Sequence, residues 1–247
     1  MLSVIIITKN EAHAIGACLA SVAWADEIVV VDSGSDDDTV EICQKFGALV
    51  SENEWPGYGK QKNHALVRAK GDWILSIDAD ERVTPALRQE IEHAIANPND
   101  DCVAWQIPRL SSFCGRFMRH SGWWPDYVTR LFHRDHAKFS DDIVHERVIV
   151  KGLTGTLKEH FLHESIENLE ELLTKMNQYT TASALMSYER KKTTSLTKAI
   201  GRGFWAFFRC YILRAGFLDG REGFILSVST AESTYYRHLK LMLLMRK

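Results

Sequence analysis

Two aspartates, Asp78 and Asp80, directly follow a run of apolar residues in the segment WILSIDADERV, residues 73–83. On a strand, residues i and i+2 point to the same side, so the two carboxylates can converge just beyond the strand end. Such oxygen ligands suit Mg²⁺ or Mn²⁺ shared with a phosphate-bearing ligand, and a cation would offset the repulsion between them. The alternative is a solvent-exposed turn in which the first carboxylate caps the next helix, because Asp-x-Asp alone is a common pattern.

The elements that must position these aspartates alternate between strands and helices. Apolar, mostly β-branched runs predict buried strands at 3–8, 28–31 and 73–77. Helical spacing follows each strand, and Thr84 before Pro85 marks the start of one helix. The alternation predicts an α/β fold with a mostly parallel sheet, in which ligands bind beyond the carboxyl ends of the strands. Three polar segments are therefore expected at one sheet edge: residues 8–11, 32–38 and 78–81.

The remainder of the chain has two further patterns. Short extended runs separated by Trp and Gly in residues 103–165 predict antiparallel or mixed sheet that completes the same domain. Residues 167–190 have the spacing of an amphipathic helix.

The C-terminal segment is basic. Residues 185–247 contain twelve Lys or Arg and four Asp or Glu, although the whole chain has a net charge of −2. At 100° per residue, Lys198, Arg202 and Arg209 fall within about 40° of one another on a helix. The opposite face is apolar and largely aromatic: Ile200, Phe204, Phe207, Phe208 and Tyr211. This pattern favours an anionic membrane surface or an anionic acceptor, and packing against the catalytic domain or a second subunit is the alternative.

Composition narrows the class of protein. The five cysteines are scattered and never form a C-x-x-C pair, which indicates reduced thiols rather than a disulfide framework or a zinc site. The N-terminus lacks the basic flank of a signal peptide, and no uncharged stretch approaches the 18 residues that span a bilayer. A cytoplasmic protein is expected. No G-x-G-x-x-G follows the first strand and no nucleic-acid-binding motif occurs, which argues against a dinucleotide oxidoreductase and a nucleic-acid partner.

Three segments, in this order and spacing, resemble the nucleotide-sugar-binding half of family 2 glycosyltransferases with the GT-A fold: SVIIITKNEA, IVVVDSGSDDDT and AKGDWILSIDADERV. Four further segments resemble the lipopolysaccharide core glucosyltransferases of the WaaE/KdtX type: GYGKQKNHAL, SGWWPDYVTRLFHRD, VHERV and GFLDGREG. The resemblance runs over nearly the whole chain.

The resemblance implies a Rossmann-like mixed sheet flanked by helices, with a helical C-terminal appendage. It divides the chain into a catalytic domain at residues 1–165 and a basic, amphipathic helical region at 166–247. Within the catalytic domain, residues 1–100 would bind the nucleotide sugar and residues 101–165 the acceptor.

Site roles are also implied by the resemblance. The UDP-sugar would be held by residues at the ends of the three predicted strands and by residues of the helix before the third strand: Thr8, Asn10, Glu11, Asp32, Asp36, Lys62, Asn63 and Asp78. Asp37 or Asp38 is instead a candidate helix N-cap. Asp80 would be the main metal ligand that bridges to the diphosphate, with Asp78 and His163 completing a Mg²⁺ or Mn²⁺ site.

Glu146, in the segment DDIVHERV, is the candidate catalytic base, and Asp141 and Asp142 are the alternatives. A purely structural role, in which Glu146 pairs with Arg147 or Arg130, is also open. The acceptor would contact three residues of the segment SGWWPDY: Trp123, Trp124 and Asp126.

The expected function is an inverting, metal-dependent transfer of a hexose, glucose by preference, from a UDP-sugar to an inner-core heptose of lipopolysaccharide. The protein would act in the cytoplasm, peripherally at the inner membrane. Three alternatives stay open at this point: a family 2 transferase with another acceptor, a catalytically silent nucleotide-sugar-binding protein, and a nucleotidyltransferase.

Overall fold

A computed structural model describes residues 1–97, 102–140 and 146–246. It contains seven α-helices in those residues: α1 Ile15–Val22, α2 Thr39–Lys45, α3 Tyr58–Arg68, α4 Pro85–Ala96, α5 Leu169–Glu189, α6 Leu196–Phe208 and α7 Gly220–Leu244. The first six strands are β1 Leu2–Thr8, β2 Glu27–Asp32, β3 Leu49–Glu52, β4 Trp73–Ser76, β5 Glu81–Val83 and β6 Cys102–Phe113. Six more follow: β7 Arg116–Phe117, β8 Asp126–His133, β9 Ala137–Phe139, β10 Val148–Val150, β11 Leu153–Thr156 and β12 Phe161–Ile166.

The chain divides into two compact units. The first consists of residues 1–109 and 126–163, and the second of residues 110–125 and 164–247. Segment 110–125, which the resemblance places in a catalytic domain at residues 1–165, belongs to the second unit.

The main sheet has the strand order β3-β2-β1-β4-β8-β6-β12-β5. The first four strands in this order, β3, β2, β1 and β4, are parallel, which confirms the βαβ pattern predicted for the N-terminal half. Strand β8 runs antiparallel to β4 and to β6, so the second half adds the mixed pairing expected of residues 103–165. A separate antiparallel pair, β9 with β10, lies off this sheet.

Both faces of the parallel strands are buried, as their continuous apolar sequences require. On β1, Val4 and Ile6 pack into one core layer with helices α1 and α4, whereas Ile5 packs into the other with Ala65 and Ala69 at the inner face of α3 and just beyond its end. Alternation along a strand produces this division, because successive side chains point to opposite faces.

Two helix boundaries agree with their sequence signals. Thr84 is the N-cap of α4, and its hydroxyl accepts a hydrogen bond from Leu87 N at 3.1 Å, with Pro85 at the first helical position. Helix α5 occupies Leu169–Glu189, inside the predicted range of 167–190.

The C-terminal segment departs from a continuous helix. Helix α6 ends at Phe208, a π-helical turn occupies Arg209–Leu213 and a 3₁₀ turn occupies Gly216–Asp219. The spacing of 100° per residue applies up to the end of α6, where Arg209 still has α-helical φ and ψ, and the wider π turn changes the angular step beyond it.

The second unit has its own small core. Phe113, Met118, Ile166, Leu172 and Leu226 pack together there. The Asp219 carboxylate, at the end of the 3₁₀ turn, accepts hydrogen bonds from the backbone N–H groups of residues 119 and 120. This buried carboxylate ties the turn that precedes α7 to the segment 110–125.

Candidate active site

The carboxyl ends of β1 and β2 are joined by Thr8 and Asp32, which are paired in register. The Thr8 hydroxyl donates to Asp32 Oδ1 at 3.0 Å, and Gly34 N and Ser35 N donate to Asp32 Oδ2 at 2.9 and 2.7 Å. Asp32 is buried, so these donors offset the cost of removing its charge from water. In this arrangement Asp32 organises the loop that follows β2.

That loop is fastened to the segment that follows β1. Asn10 N donates to the Ser35 hydroxyl at 2.8 Å, and Asp36 N donates to Asn10 Oδ1 at 2.9 Å. Glu11 N donates to the Thr39 hydroxyl at 2.8 Å. The two polar segments therefore meet at one edge of the sheet.

Asp37 also belongs to this junction, although its carboxylate is exposed. It accepts from the Thr39 hydroxyl and from Ala12 N. The hydrogen bond from the Thr39 side chain is the main cause that lowers the pKa of Asp37 below its usual value.

The centre of the site is Asp78, which lies between two cations. Lys62 Nζ is 3.0 Å from Asp78 Oδ1, and the Arg130 guanidinium donates to both carboxylate oxygens. The cations themselves are buried, since the side chain of Lys62 is 5% exposed and that of Arg130 is 7% exposed. Burial alone would raise the pKa of Asp78, but the charges of Arg130 and Lys62 outweigh it and hold that pKa well below its usual range.

Glu81 extends this network into the protein interior. Its side chain is 0% exposed; Oε1 lies 2.7 Å from Arg130 Nη2 and 3.4 Å from Arg109 Nη1, and Oε2 accepts from Asp78 N at 3.0 Å. Arg109 in turn donates to Asp126 Oδ2 at 2.6 Å. Asp126, our candidate acceptor contact, is thus linked to Asp78 through alternating charges.

Glu146 lies on the other side of Lys62. The distance from Lys62 Nζ to Glu146 Oε1 is 2.9 Å, so one ammonium bridges the candidate base and Asp78. The alternatives Asp141 and Asp142, with the neighbouring His145, lie outside the described residues.

Close packing of α3 sets the position of the Glu146 segment. A Cβ atom on Gly59 would lie 1.8 Å from the backbone oxygen of Ser140 and 3.5 Å from Glu146 Cβ. Only a residue without a side chain allows α3 to approach this closely. One turn later, Asn63 forms two hydrogen bonds of 3.0 Å with the backbone of Phe139, so its amide holds β9 in place.

Asp80 and His163 face each other. Asp80 Oδ2 is 3.3 Å from His163 Nε2, and both side chains are partly exposed. A carboxylate oxygen and an imidazole nitrogen are ligands that Mn²⁺ or Mg²⁺ sites can use, and two protein ligands leave positions for phosphate oxygens. Asp78 differs, because Arg130 and Lys62 already neutralise its charge.

The residues present therefore fit a cation held by Asp80 and His163 together with a ligand. Among the residues that the structure describes, no group of three or more His, Cys, Asp or Glu side chains forms a metal site without such a ligand.

Trp123 and Trp124 belong to the second unit. The Trp123 ring packs edge-to-face on Phe113 with centroids 5.9 Å apart, and the Arg119 guanidinium lies 5.7 Å from the Trp124 centroid. Trp123 is thus part of the core of that unit, whereas Trp124 is stacked with a cation.

Residues 3–156 match the family described as Glycosyl transferase family 2. The chain is a family 2 glycosyltransferase. The match covers more than half of the chain and includes every residue of the Lys62, Asp78, Arg130 and Glu146 cluster.

Relatives extend the similarity of this family 2 glycosyltransferase to its C-terminal region. An uncharacterized glycosyltransferase of Rickettsia conorii is 34% identical over 97% of this chain and 89% of its own length. The lipopolysaccharide core biosynthesis glycosyltransferase LpsC of Rhizobium meliloti is 30% identical over 96% of this chain and 93% of its own.

Solved structures support the fold. The crystal structure of residues 1–349 of S. aureus TarS has a TM-score of 0.51 at 17% identity and covers 99% of this chain and 91% of that one. A second structure of the same fragment, in complex with UDP-GlcNAc, has a TM-score of 0.50 at 16% identity and covers the same shares. The fold is thus that of GT-A glycosyltransferases, as expected.

Sequence reasoning missed the structural importance of Arg130, Arg109 and Glu81. The sequence indicates Arg130 only as an alternative partner of Glu146, yet Arg130 is buried against Asp78 and Glu81. The available signal was its place inside the apolar strand β8, since a charge on a buried strand requires a buried partner.

We expect Arg130→Met to lower the free energy of unfolding by about 3 kcal/mol at pH 7, because it leaves Asp78 and Glu81 short of a buried partner. A carboxyl group whose pKa is lower in the folded protein than in the unfolded chain stabilises the fold at pH values above its unfolded pKa, which is about 3.9 for Asp. This contribution is lost as the pH falls through the pKa of the folded state. The difference between wild type and variant should therefore shrink below about pH 4. Denaturant unfolding between pH 3 and 7 measures it.

Lys45→Met is the control, because Lys45 pairs with Glu41 on an exposed helix face. It should change the free energy of unfolding little at any pH. Equal losses in the two variants would contradict the assignment of Arg130 to a buried network.

Proposed function

We propose that this family 2 glycosyltransferase moves glucose from UDP-glucose to an inner-core heptose of lipopolysaccharide, with inversion at the anomeric carbon. The observation that carries the proposal is the cluster of Lys62, Asp78 and Glu146, with the pair Asp80 and His163, at the strand ends where α/β proteins bind ligands. The name of the relative LpsC supports the lipopolysaccharide acceptor, and the UDP-GlcNAc in the TarS complex supports a uridine nucleotide.

The donor would lie along the junction of the first two strand ends. Thr8, Asn10, Glu11, Asp32 and Asp36 would hold the uracil and ribose, whose N–H and O–H groups are donors to carboxylate and amide oxygens. Because the loops are already hydrogen-bonded to one another, they would bind the nucleotide with little further ordering.

The diphosphate would lie against the cations. Lys62 supplies a point charge, and Asn63 supports the neighbouring strand. A Mg²⁺ or Mn²⁺ ion held by Asp80 and His163, with Asp78 beside them, would neutralise charge on the diphosphate as a Lewis acid.

Glu146 would act as the base. It would take the proton of the acceptor hydroxyl while the acceptor oxygen forms a bond to the anomeric carbon and the bond to the UDP oxygen breaks on the opposite side. Lys62, which contacts both Glu146 and Asp78, would position the base relative to the departing diphosphate. Trp124 and Asp126 would contact the acceptor, and Trp123 would support them.

An anionic membrane surface is the proposed site of action. The inner face of α6 contains the small buried residues Ala199, Gly203 and Ala206, and the ring of Phe207 packs edge-to-face on Phe224 of α7. Most of the large apolar residues of α6 are exposed, among them Ile200, Phe204, Trp205 and Phe208. They adjoin the basic residues Lys198 and Arg202, an arrangement typical of helices that lie in a lipid interface. No helix in the described residues is long and apolar enough to cross a bilayer.

We expect UDP-glucose at one hundred times its dissociation constant, with Mn²⁺ or Mg²⁺, to stabilise the protein by about 2.7 kcal/mol. For a chain of this size that corresponds to a rise in melting temperature of about 5–10 °C, read by a thermal shift panel of nucleotides and nucleotide sugars. Asp80→Asn should lose the metal-dependent part of the shift.

Asp72→Asn is the control for this panel, because Asp72 is exposed at the other end of β4. It should behave as wild type. A wild-type shift that is unaffected by a chelator would contradict the metal, and no shift with any uridine nucleotide would contradict the donor.

Glu146→Gln should lower kcat for glucosyl transfer about 10²- to 10⁴-fold, the usual contribution of a general base. The donor-induced thermal shift should persist, because Lys62 keeps its contact with Asp78. Glu92→Gln, on an exposed helix face, serves as the control.

Near-normal turnover in Glu146→Gln together with loss of turnover in Asp141→Asn or Asp142→Asn would assign the base to that aspartate. Release of pyrophosphate instead of UDP would indicate nucleotidyl transfer.

Flotation with vesicles that contain anionic phospholipid tests the membrane surface. Phe204→Ser with Trp205→Ser should reduce binding at least about tenfold, because two large side chains no longer enter the lipid. Tyr179→Ser removes an equally exposed aromatic residue from α5 and should have no effect. Equal binding by both variants would exclude α6 as the contact.

A further inference from the structure

The second unit contains a basic cavity that the proposed transfer reaction does not use. Its volume is about 540 Å³, and it is formed by the end of α5, the start of α6 and the C-terminal half of α7. Five cationic side chains line it: Lys191, Lys192, Lys198, Arg202 and Arg237.

Within the part of the chain that the structure describes, the cations of this cavity lack carboxylate partners. Among the nine residues that line it there is no Asp or Glu, and within the described chain none of the five cations forms an ion pair with a carboxylate. Other cations of the same unit are paired, for example Lys175 with Glu171 and Arg221 with Glu222. Like charges gathered around one concave surface repel each other, and an anion between them would relieve that repulsion.

The backbone adds to the positive field. Helix α6 begins beside the cavity with Ser195 as its N-cap, and the amino end of a helix carries a partial positive charge. Lys191 has a φ of 54°, a left-handed conformation that a glycine would adopt without strain. A lysine that lines the cavity therefore adopts a backbone conformation that is unfavourable for residues other than glycine.

His238 lies in the wall of the same cavity. Its Nδ1 lies 2.9 Å from the Thr194 hydroxyl. Burial first, and then the charges of Arg237, Lys198 and Arg202, lower the pKa of His238. Burial and the neighbouring positive charges both disfavour the protonated imidazole.

We propose that this cavity is a binding site for a phosphate-bearing anion. Several cations with a helix N-terminus match the charge and the acceptor oxygens of a phosphomonoester or diphosphate, for which arginine forms paired hydrogen bonds and lysine serves as a point charge. The volume is sufficient for a diphosphate or a phosphorylated headgroup. The group can come from a soluble phosphate or from a lipid headgroup, and the proposal does not depend on the identity of the sugar donor.

The experiment follows the imidazole resonance of His238 in full-length protein with labelled histidine, assigned through His238→Gln. Inorganic phosphate and pyrophosphate are titrated in the presence of a chelator, against sodium chloride of equal ionic strength. In parallel, phosphatidylcholine vesicles carrying phosphatidic acid are compared with vesicles carrying the same charge as oleate, which has no phosphate.

We expect a saturable shift of His238 with pyrophosphate or with phosphatidic acid vesicles, and an apparent affinity at least about tenfold lower in Lys198→Gln with Arg237→Gln. Arg209→Gln with Arg221→Gln removes the same charge from the same unit outside the cavity and should keep wild-type affinity. Both double variants retain the donor site, so loss of donor binding and loss of the anion site are distinguishable.

A response to pyrophosphate identifies a site open to soluble phosphates, whereas a response to phosphatidic acid vesicles alone identifies a headgroup site. Either result supports the proposal. It is overturned if neither probe moves His238 beyond the sodium chloride control, if oleate vesicles act as phosphatidic acid vesicles do, or if the Lys198 and Arg237 double variant binds as tightly as wild type.

Discussion

The ion-pair network around Asp78 is the interaction on which the site depends. Asp78, Lys62 and Arg130 come from the end of β4, from α3 and from β8, so one set of charges joins three elements that are far apart in sequence. Removing charges from water costs several kcal/mol per ion, and the cost is offset only where each charge is paired and hydrogen-bonded. Here Arg130 contacts two carboxylates and Glu81 contacts two guanidinium groups. The network is therefore a constraint on geometry more than a source of net stability.

The same network bears on the proposed cation site. Asp78 is neutralised by cations of the protein, so in the proposed function Asp80, two residues further along and beside His163, is the carboxylate that would hold a cation. The Asp-x-Asp pair thus has two different environments: Asp78 contacts Lys62 and Arg130, whereas Asp80 lies beside His163. Division of roles between two neighbouring carboxylates by their surroundings is a general means by which one site combines structural and chemical tasks.

The sequence predicted the N-terminal half well, because local signals and tertiary structure agree there. Buried parallel strands such as β1 have continuous apolar sequences, and Thr84 with Pro85 marks a helix start that the fold uses. The meeting of the three strand ends followed from topology alone.

What the sequence could not predict depends on long-range partners. The pairing of Arg130 with Asp78 spans 52 residues, and no periodicity reports such a contact. The membership of segment 110–125 in the second unit and the basic cavity beside α6 are likewise set by how helices pack, not by the pattern of any one of them. The hydrogen bonds by which Asn63 holds β9 and Asp32 holds the loop after β2 also depend on partners that the sequence does not indicate.

The contact between α6 and α7 through Ala199, Gly203 and Ala206 has a consequence for how this region can change. Because small buried residues and the contact of Phe207 with Phe224 join the two helices, the exposed residues Ile200, Phe204 and Trp205 contribute little to holding the pair. Folding and surface character are thus encoded at separate positions of one helix. The outward positions of α6 can acquire new chemistry, polar or apolar, while the helical framework stays intact.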